Sequence, residues 1–181
     1  DNRADTYHHR NTDAPETDNL IITYSDATND NDAIWNDTAP TSSVFGLGTG
    51  NEVNDTGNTY IAYLWSEKQG FSKFGSYEGN GNADGTFVYT GFRPAFVMTK
   101  SIDSTSSWHM FDNKREGYNV DNDALVGEDT TAEATTDMID LLSNGFKCRI
   151  TTDPNVDETY IYIAFAEAPF VNSNGVPCNA R

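Results

Sequence analysis

Apolar and polar residues along the chain fall into short runs separated by clusters of Asn, Asp, Gly, Ser and Thr, the pattern of strands joined by turns. The strand-like runs are 19–24, 43–47, 59–65, 86–89, 95–100, 108–111, 145–151 and 159–166. Thr59-Tyr-Ile-Ala-Tyr-Leu-Trp65 is the strongest in the first half, and Thr159-Tyr-Ile-Tyr-Ile-Ala-Phe-Ala166 the strongest in the second. Gly145 to Thr151 alternates cleanly, the period of a half-buried strand. One segment, 135–142, reads as a short helix, because Met138, Leu141 and Leu142 share a face at helical spacing. Ser25 to Pro40 has no Gly to mark a tight turn and predicts a surface excursion anchored by Trp35. Many short strands without helix–strand alternation predict an all-β chain with little helix, an antiparallel β-sandwich of jelly-roll type.

A weak internal repeat runs through this pattern. Tyr60-Ile61-Ala62-Tyr63 matches Tyr162-Ile163-Ala164-Phe165, each preceded by an Asn/Asp turn, Asn54-Asp55-Thr56-Gly57 and Asn155-Val156-Asp157-Glu158. Phe45-Gly46-Leu47 answers Phe146-Lys147-Cys148 at a similar separation. Residues 1–66 therefore read as the C-terminal half of one β repeat, packed with the next, and 67–181 as a complete β-sandwich repeat. On that reading Asp1 falls inside a preceding unit.

Composition narrows the partners. The 181 residues carry 28 Asp and Glu against 11 Lys and Arg, a net charge of −17. Such a surface repels a phosphate backbone and an anionic bilayer, so neither nucleic acid nor membrane is expected as a partner. Aromatic residues make up 12% of the chain, more than a solvated coil carries, which argues for a folded domain despite the polar composition. Two cysteines, Cys148 and Cys178, allow one disulfide or two separate thiols, and no Cys/His cluster suggests zinc.

Tested for chemistry, the motifs point away from catalysis. Glu16-Thr-Asp18 begins a glycosidase-like carboxylate pattern, but Ile21 stands where the second Glu belongs. His8, His9 and His109 have no Gly-x-Ser-x-Gly partner to make a nucleophile. Ser101 to Trp108 reads as a hairpin turn with a buried Trp, and Gly79 to Gly85 as a long β-turn without a phosphate-loop lysine. No motif requires a cofactor. Calcium, which takes hard oxygen ligands, is the one ion the loops admit, with Asp121, Asp123, Glu128 and Asp129 as the candidate set. Trp35, Trp65, Trp108 and Tyr77 are the candidate rings for stacking on a glycan. If the sandwich instead cleaves glycans, Asp140 and Glu167 are the first suspects, each adjoining an apolar run.

Several runs taken together resemble marine bacteriophage virion proteins. They are Trp35-Asn-Asp-Thr-Ala-Pro-Thr-Ser-Ser-Val-Phe45, Thr59 to Trp65, Gly70-Phe-Ser-Lys-Phe-Gly-Ser-Tyr77-Glu-Gly-Asn-Gly81, Phe87-Val-Tyr-Thr-Gly-Phe-Arg-Pro94, Ser143-Asn-Gly-Phe-Lys147 and Thr159 to Phe170. Such chains are tail-fibre or capsid-fibre proteins with tandem domains similar to the concanavalin A-like lectin/glucanase sandwich. The resemblance implies a non-enzymatic structural module of an extracellular virion appendage. It also implies assembly as a trimer or fibre with other virion proteins, with host-surface polysaccharide as a further partner. A bacterial surface or filament subunit would use the same fold. The family offers no catalytic residues to carry over.

Overall fold

The computed structural model describes residues 6–7, 18–115, 119 and 123–167. In chain order the elements are strands β1 (Thr6–Tyr7), β2 (Asp18–Ile21) and β3 (Asn29–Asp30), helices α1 (Asp32–Trp35) and α2 (Asn51–Asn54), then β4 (Ser72–Glu78), β5 (Phe87–Tyr89), β6 (Pro94–Ser101), β7 (His109–Asp112), β8 (Leu125–Val126), β9 (Ile139–Leu142), β10 (Gly145–Cys148) and β11 (Thr159–Ala166). Among the described residues they form three antiparallel sheets, ordered β1-β2-β3, β5-β10-β9 and β4-β11-β6-β7-β8. The expected all-β, sandwich-like architecture with little helix is the architecture observed.

The largest sheet is built around β11. It pairs with β4 along one edge and with β6 along the other. Its side chains alternate between two cores. Tyr160, Tyr162, Ala164 and Ala166 enter a cluster with Tyr77, Val97, Phe111, Ile139, Leu141, Phe146 and Cys148, the interior between the two larger sheets. Ile161 and Ile163 enter a second cluster on the outer face with Leu20, Ile102 and Trp108. A strand covered on both faces carries apolar residues at nearly every position, which is why this run reads as continuous rather than alternating. Gly75 on β4 makes room for it: a Cβ there would meet the Tyr162 ring at 2.9 Å.

The first sheet covers the outer face. From β2, Leu20 is buried there and Ile22 follows it half-buried. Trp108 fastens this cover, its indole Nε1–H donating to the carbonyls of Ile21 (3.2 Å) and Tyr24 (3.1 Å). Thr28 adds backbone and side-chain bonds to the Ile102 carbonyl, and the Ser106 amide donates to the Ser25 carbonyl. Beyond it, α1 starts where the Asn31 side chain accepts from the Ala33 amide and stops at Asn36, whose φ of 54° is left-handed. Ile34 and Trp35 of α1 close a small third core with Val53 of α2.

Three expectations fail, each for a local reason. Residues 135–142 contain no helix. Ile139 to Leu142 is strand β9, in which Ile139 and Leu141 point inward while Asp140 and Leu142 are half-exposed, a period of two. The Leu141–Leu142 doublet simulated a helical face. The runs 43–47 and 59–65 form no strand, because no neighbouring strand among the described residues offers them a ladder of backbone partners. Conversely, β4 is a strand absent from the strand-like runs, because Gly75 and the serines break its apolar pattern.

Phe146 is fully buried, with its ring edge-on to Tyr77 at 5.8 Å and to Tyr162 at 5.6 Å. Phe146→Ala is expected to lower the unfolding free energy by about 3–5 kcal/mol, read by urea denaturation; a loss below ~1 kcal/mol would show that this core collapses freely around the gap.

Candidate functional site

Of the four rings expected to stack on a glycan, three are interior. Trp35 closes the α1–α2 core and Trp108 lies under β2. Tyr77 stacks on Tyr160 at 5.2 Å and donates its hydroxyl to the Pro154 carbonyl at 2.7 Å. A ring enclosed on both faces has no face left for a sugar. Trp65 is different: it is 58% exposed and stacks on Tyr63, itself 72% exposed, at 6.1 Å. The neighbouring Ile61 and Leu64 are 81% and 74% exposed. Tyr60 ties the segment back, donating its hydroxyl to the Asn51 carbonyl (2.6 Å) and accepting from the Asp55 amide (2.8 Å). Residues 59–65 thus form a continuous exposed apolar stretch, longer than the exposed run of Val44, Phe45 and Leu47.

Of the proposed calcium ligands, Glu128 and Asp129 have other partners. Asp121 lies outside the described residues, as do His8, His9, Glu16 and Cys178. Glu128 accepts from the Trp108 amide at 3.0 Å. Asp129 turns back on its own loop, where the Thr131 hydroxyl, and after it the Thr130 amide, hold its carboxyl below the usual carboxylate range. Asp123 is half-buried. Among the described residues no three of His, Cys, Asp and Glu stand together in a way that would hold a metal ion.

The carboxylates singled out for hydrolysis are ion-paired. Asp140 on β9 meets Arg149 at 2.9 Å, and Glu167, just after β11, meets Arg93 at 3.2 Å. Arg115 gathers Asp112, Glu133 and the Met110 carbonyl. Burial pushes the Asp112 carboxyl up, but hydrogen bonds from Arg115 and Lys114 outweigh it and leave it lowered. Cys148 is a free thiol in the main core, pushed up to about 12 by burial, so it is not an available nucleophile.

The densest polar chemistry lies at one end of the large sheet, centred on Lys100, which no motif singled out. Lys100 is fully buried on β6, its ammonium donating to the Ser101 carbonyl at 2.6 Å and the Ser104 carbonyl at 3.4 Å. Loss of water pushes its pKa down to about 8, against the upward pull of Asp153, Glu128, Asp26 and Glu158. The Ser101 and Ser104 hydroxyls both donate to one Glu158 oxygen at 2.7 Å. Asp103 accepts from the Thr159 amide at 2.7 Å, and Tyr160 donates its hydroxyl to Asp153 at 2.6 Å. His109, lowered by burial, lies beside Phe111. Beside this cluster Asn155, wholly buried, donates to Asn80 Oδ1, the Asn82 carbonyl and the Ile150 carbonyl and accepts from the Asn80 amide. These bonds lock the turn entering β11 to the loop leaving β4. A lysine so enclosed serves the fold; it has no opening to a substrate.

Compared with known proteins, residues 2–169 match the family described as "Domain of unknown function (DUF7483)", and the chain belongs to that family. No curated protein and no solved structure matches it.

Two outcomes are expected here. Trp108→Phe removes the indole donor and is expected to cost about 1–3 kcal/mol and to speed hydrogen exchange at the Tyr24 and Thr28 amides; unchanged exchange there would mean that apolar contact alone holds the cover. Lys100 has a folded pKa below its ordinary 10.5, so its penalty is full below pH 8 and lifts as pH rises through about 8 towards 10.5. Wild-type stability is therefore expected to gain up to ~1 kcal/mol relative to Lys100→Met between pH 8 and pH 9 in paired urea titrations; a constant difference would contradict the assignment.

Proposed function

We propose that this chain is a non-enzymatic structural module of a bacteriophage virion appendage, a tail or capsid fibre, working outside the cell. The observation that carries the reading is the exposed apolar stretch 59–65 beside a well-packed sandwich. Contiguous apolar surface of this kind marks a place where proteins meet. The remaining features agree with it. Three of the four candidate glycan rings serve the interior, so the module builds the appendage rather than grips the host. Carboxylates suspected of hydrolysis are held by arginines. A net charge of −17 keeps copies at high local concentration from clumping indiscriminately. The resemblance of several residue runs to phage fibre proteins supplies the setting.

The reading is tested on purified virions of a phage whose genome encodes the chain. Mass spectrometry is expected to find its peptides, and antibodies raised against it are expected to decorate a fibre in electron micrographs. Virions without the protein would overturn the assignment. Prolonged incubation of the chain with marine polysaccharides is expected to release no product, and any turnover would refute the non-enzymatic part.

A further inference from the structure

We propose that Thr59–Trp65 is an assembly strand that docks on a second copy of this chain, each copy laying its strand over an aromatic patch of the other that the described residues leave partly exposed. The inference deepens the structural-module reading by naming the partner of that surface.

The internal repeat shows what such a sequence is built for. Tyr162-Ile163-Ala164-Phe165 lies in β11, with hydrogen-bonded strands on both edges and apolar cover on both faces as far as Ala164, Phe165 being half-buried. Tyr60-Ile61-Ala62-Tyr63 repeats it without any such neighbours among the described residues. In an extended chain Tyr60 and Leu64 face one way while Ile61, Tyr63 and Trp65 face the other. Both faces are therefore apolar, the signature of a strand meant to be covered. The five exposed side chains present on the order of 700 Å² of surface, close to the ~800 Å² per partner of a standard interface.

The same molecule offers a matching surface. On the outer face of β4, β11 and β6, Phe74, Phe96 and Phe165 are half-buried and Phe71 is exposed, with ring centroids 6.1 to 6.5 Å from Phe165. The assembly strand leads directly to this face, because the Ser72 hydroxyl donates to the Ser66 carbonyl (2.9 Å) and the Phe74 amide to Glu67 (3.3 Å). Within one copy the strand does not fold back there. The hairpin opened by the Lys68–Ser72 bridge ends after that single pair, since the Glu67 carboxylate occupies the Phe74 amide that the next pair would use. Charge points to the same contact. Residues 59–65 contain no charged side chain, so in a chain of net charge −17 they are a stretch that two copies can bring together without repulsion.

The test is sedimentation velocity and light scattering on the full 181-residue chain across a wide concentration range at low and high salt. The mass is expected to rise from one chain to two, more readily at high salt, where repulsion between the acidic copies is screened. The double substitution Ile61→Asp with Leu64→Asp, at positions exposed in the single copy, is expected to leave the thermal midpoint unchanged and to weaken association about a hundredfold or more. A wild-type mass of one chain under every condition would overturn the proposal, as would association undiminished in the variant. If the variant misfolds, hydrogen exchange on the wild type decides: amides of residues 60–65 are expected to slow as concentration rises, and rates independent of concentration would overturn it. A monomer that is nonetheless found in virions would sink this inference and leave the appendage reading intact; a dimer absent from virions would do the reverse.

Discussion

Thr159–Ala166 is paired along both edges and covered on both faces except at half-buried Thr159 and Phe165, and that single constraint organises the rest of the molecule. Two hydrogen-bonded edges require β4 and β6, and two apolar faces require a layer above and a layer below. The inner layer is the β5-β10-β9 sheet, which brings Phe146 and Leu141 to Tyr160 and Tyr162. The outer layer comes from far along the chain, where Leu20 is laid over Ile161 and Ile163 and held by Trp108. The two halves of the sequence are thus bound by one strand's need for cover. Burial of apolar surface supplies the driving force, and the hydrogen bonds of Trp108 and Thr28 fix the register in which it is satisfied.

What could be read from the sequence follows from the same constraint. Thr159–Ala166 announced itself because two-sided burial selects apolar residues at almost every position. Residues 145–148 were legible for the opposite reason, one face in and one face out: Phe146 and Cys148 lie inside while Lys147 reaches Asp84. Ser72–Glu78 was missed because its essential residue is the absence of a side chain at Gly75, which in sequence looks like a turn. Thr59–Trp65 has every local property of a strand and is not one, since pairing depends on partners that a run of residues cannot encode. The candidate rings were chosen by residue type. Trp108 and Tyr77 have the chemistry to stack on sugar, but each is enclosed by neighbours distant in sequence. Lys100 carried no signal at all: a lysine in a strand reads as a solvent position, whereas here Thr99, Lys100 and Ser101 are all buried.

Charge is distributed by a similar logic. Arginine is scarce against so much acid, and where it is described it is set against a carboxylate: Arg93 with Glu167, Arg115 with Asp112 and Glu133, Arg149 with Asp140. These partly exposed pairs contribute little each to stability. Their effect is to mute acid beside the sheets while the remaining Asp and Glu stay in the loops and keep the surface hydrated. At the free edge of β4, Glu67 does a related task, capping the Phe74 amide and pairing with Lys73 at 3.3 Å, so that a bare edge is not offered to any passing strand.

The knot around Asn155 also bears on how the protein ages. Asn80-Gly81 is a sequence prone to deamidation, because a following glycine lets its backbone nitrogen swing onto the asparagine side chain and close a ring. Here the Gly81 amide is engaged by the Asn155 carbonyl at 2.7 Å. The Asn80 carboxamide is held as well, accepting from the Asn82 amide and Asn155 and donating to the Asp84 carbonyl. Neither reacting group can turn toward the other without first breaking the bonds that close the sandwich. The loop thereby works as a chemical clock that runs only when the fold opens.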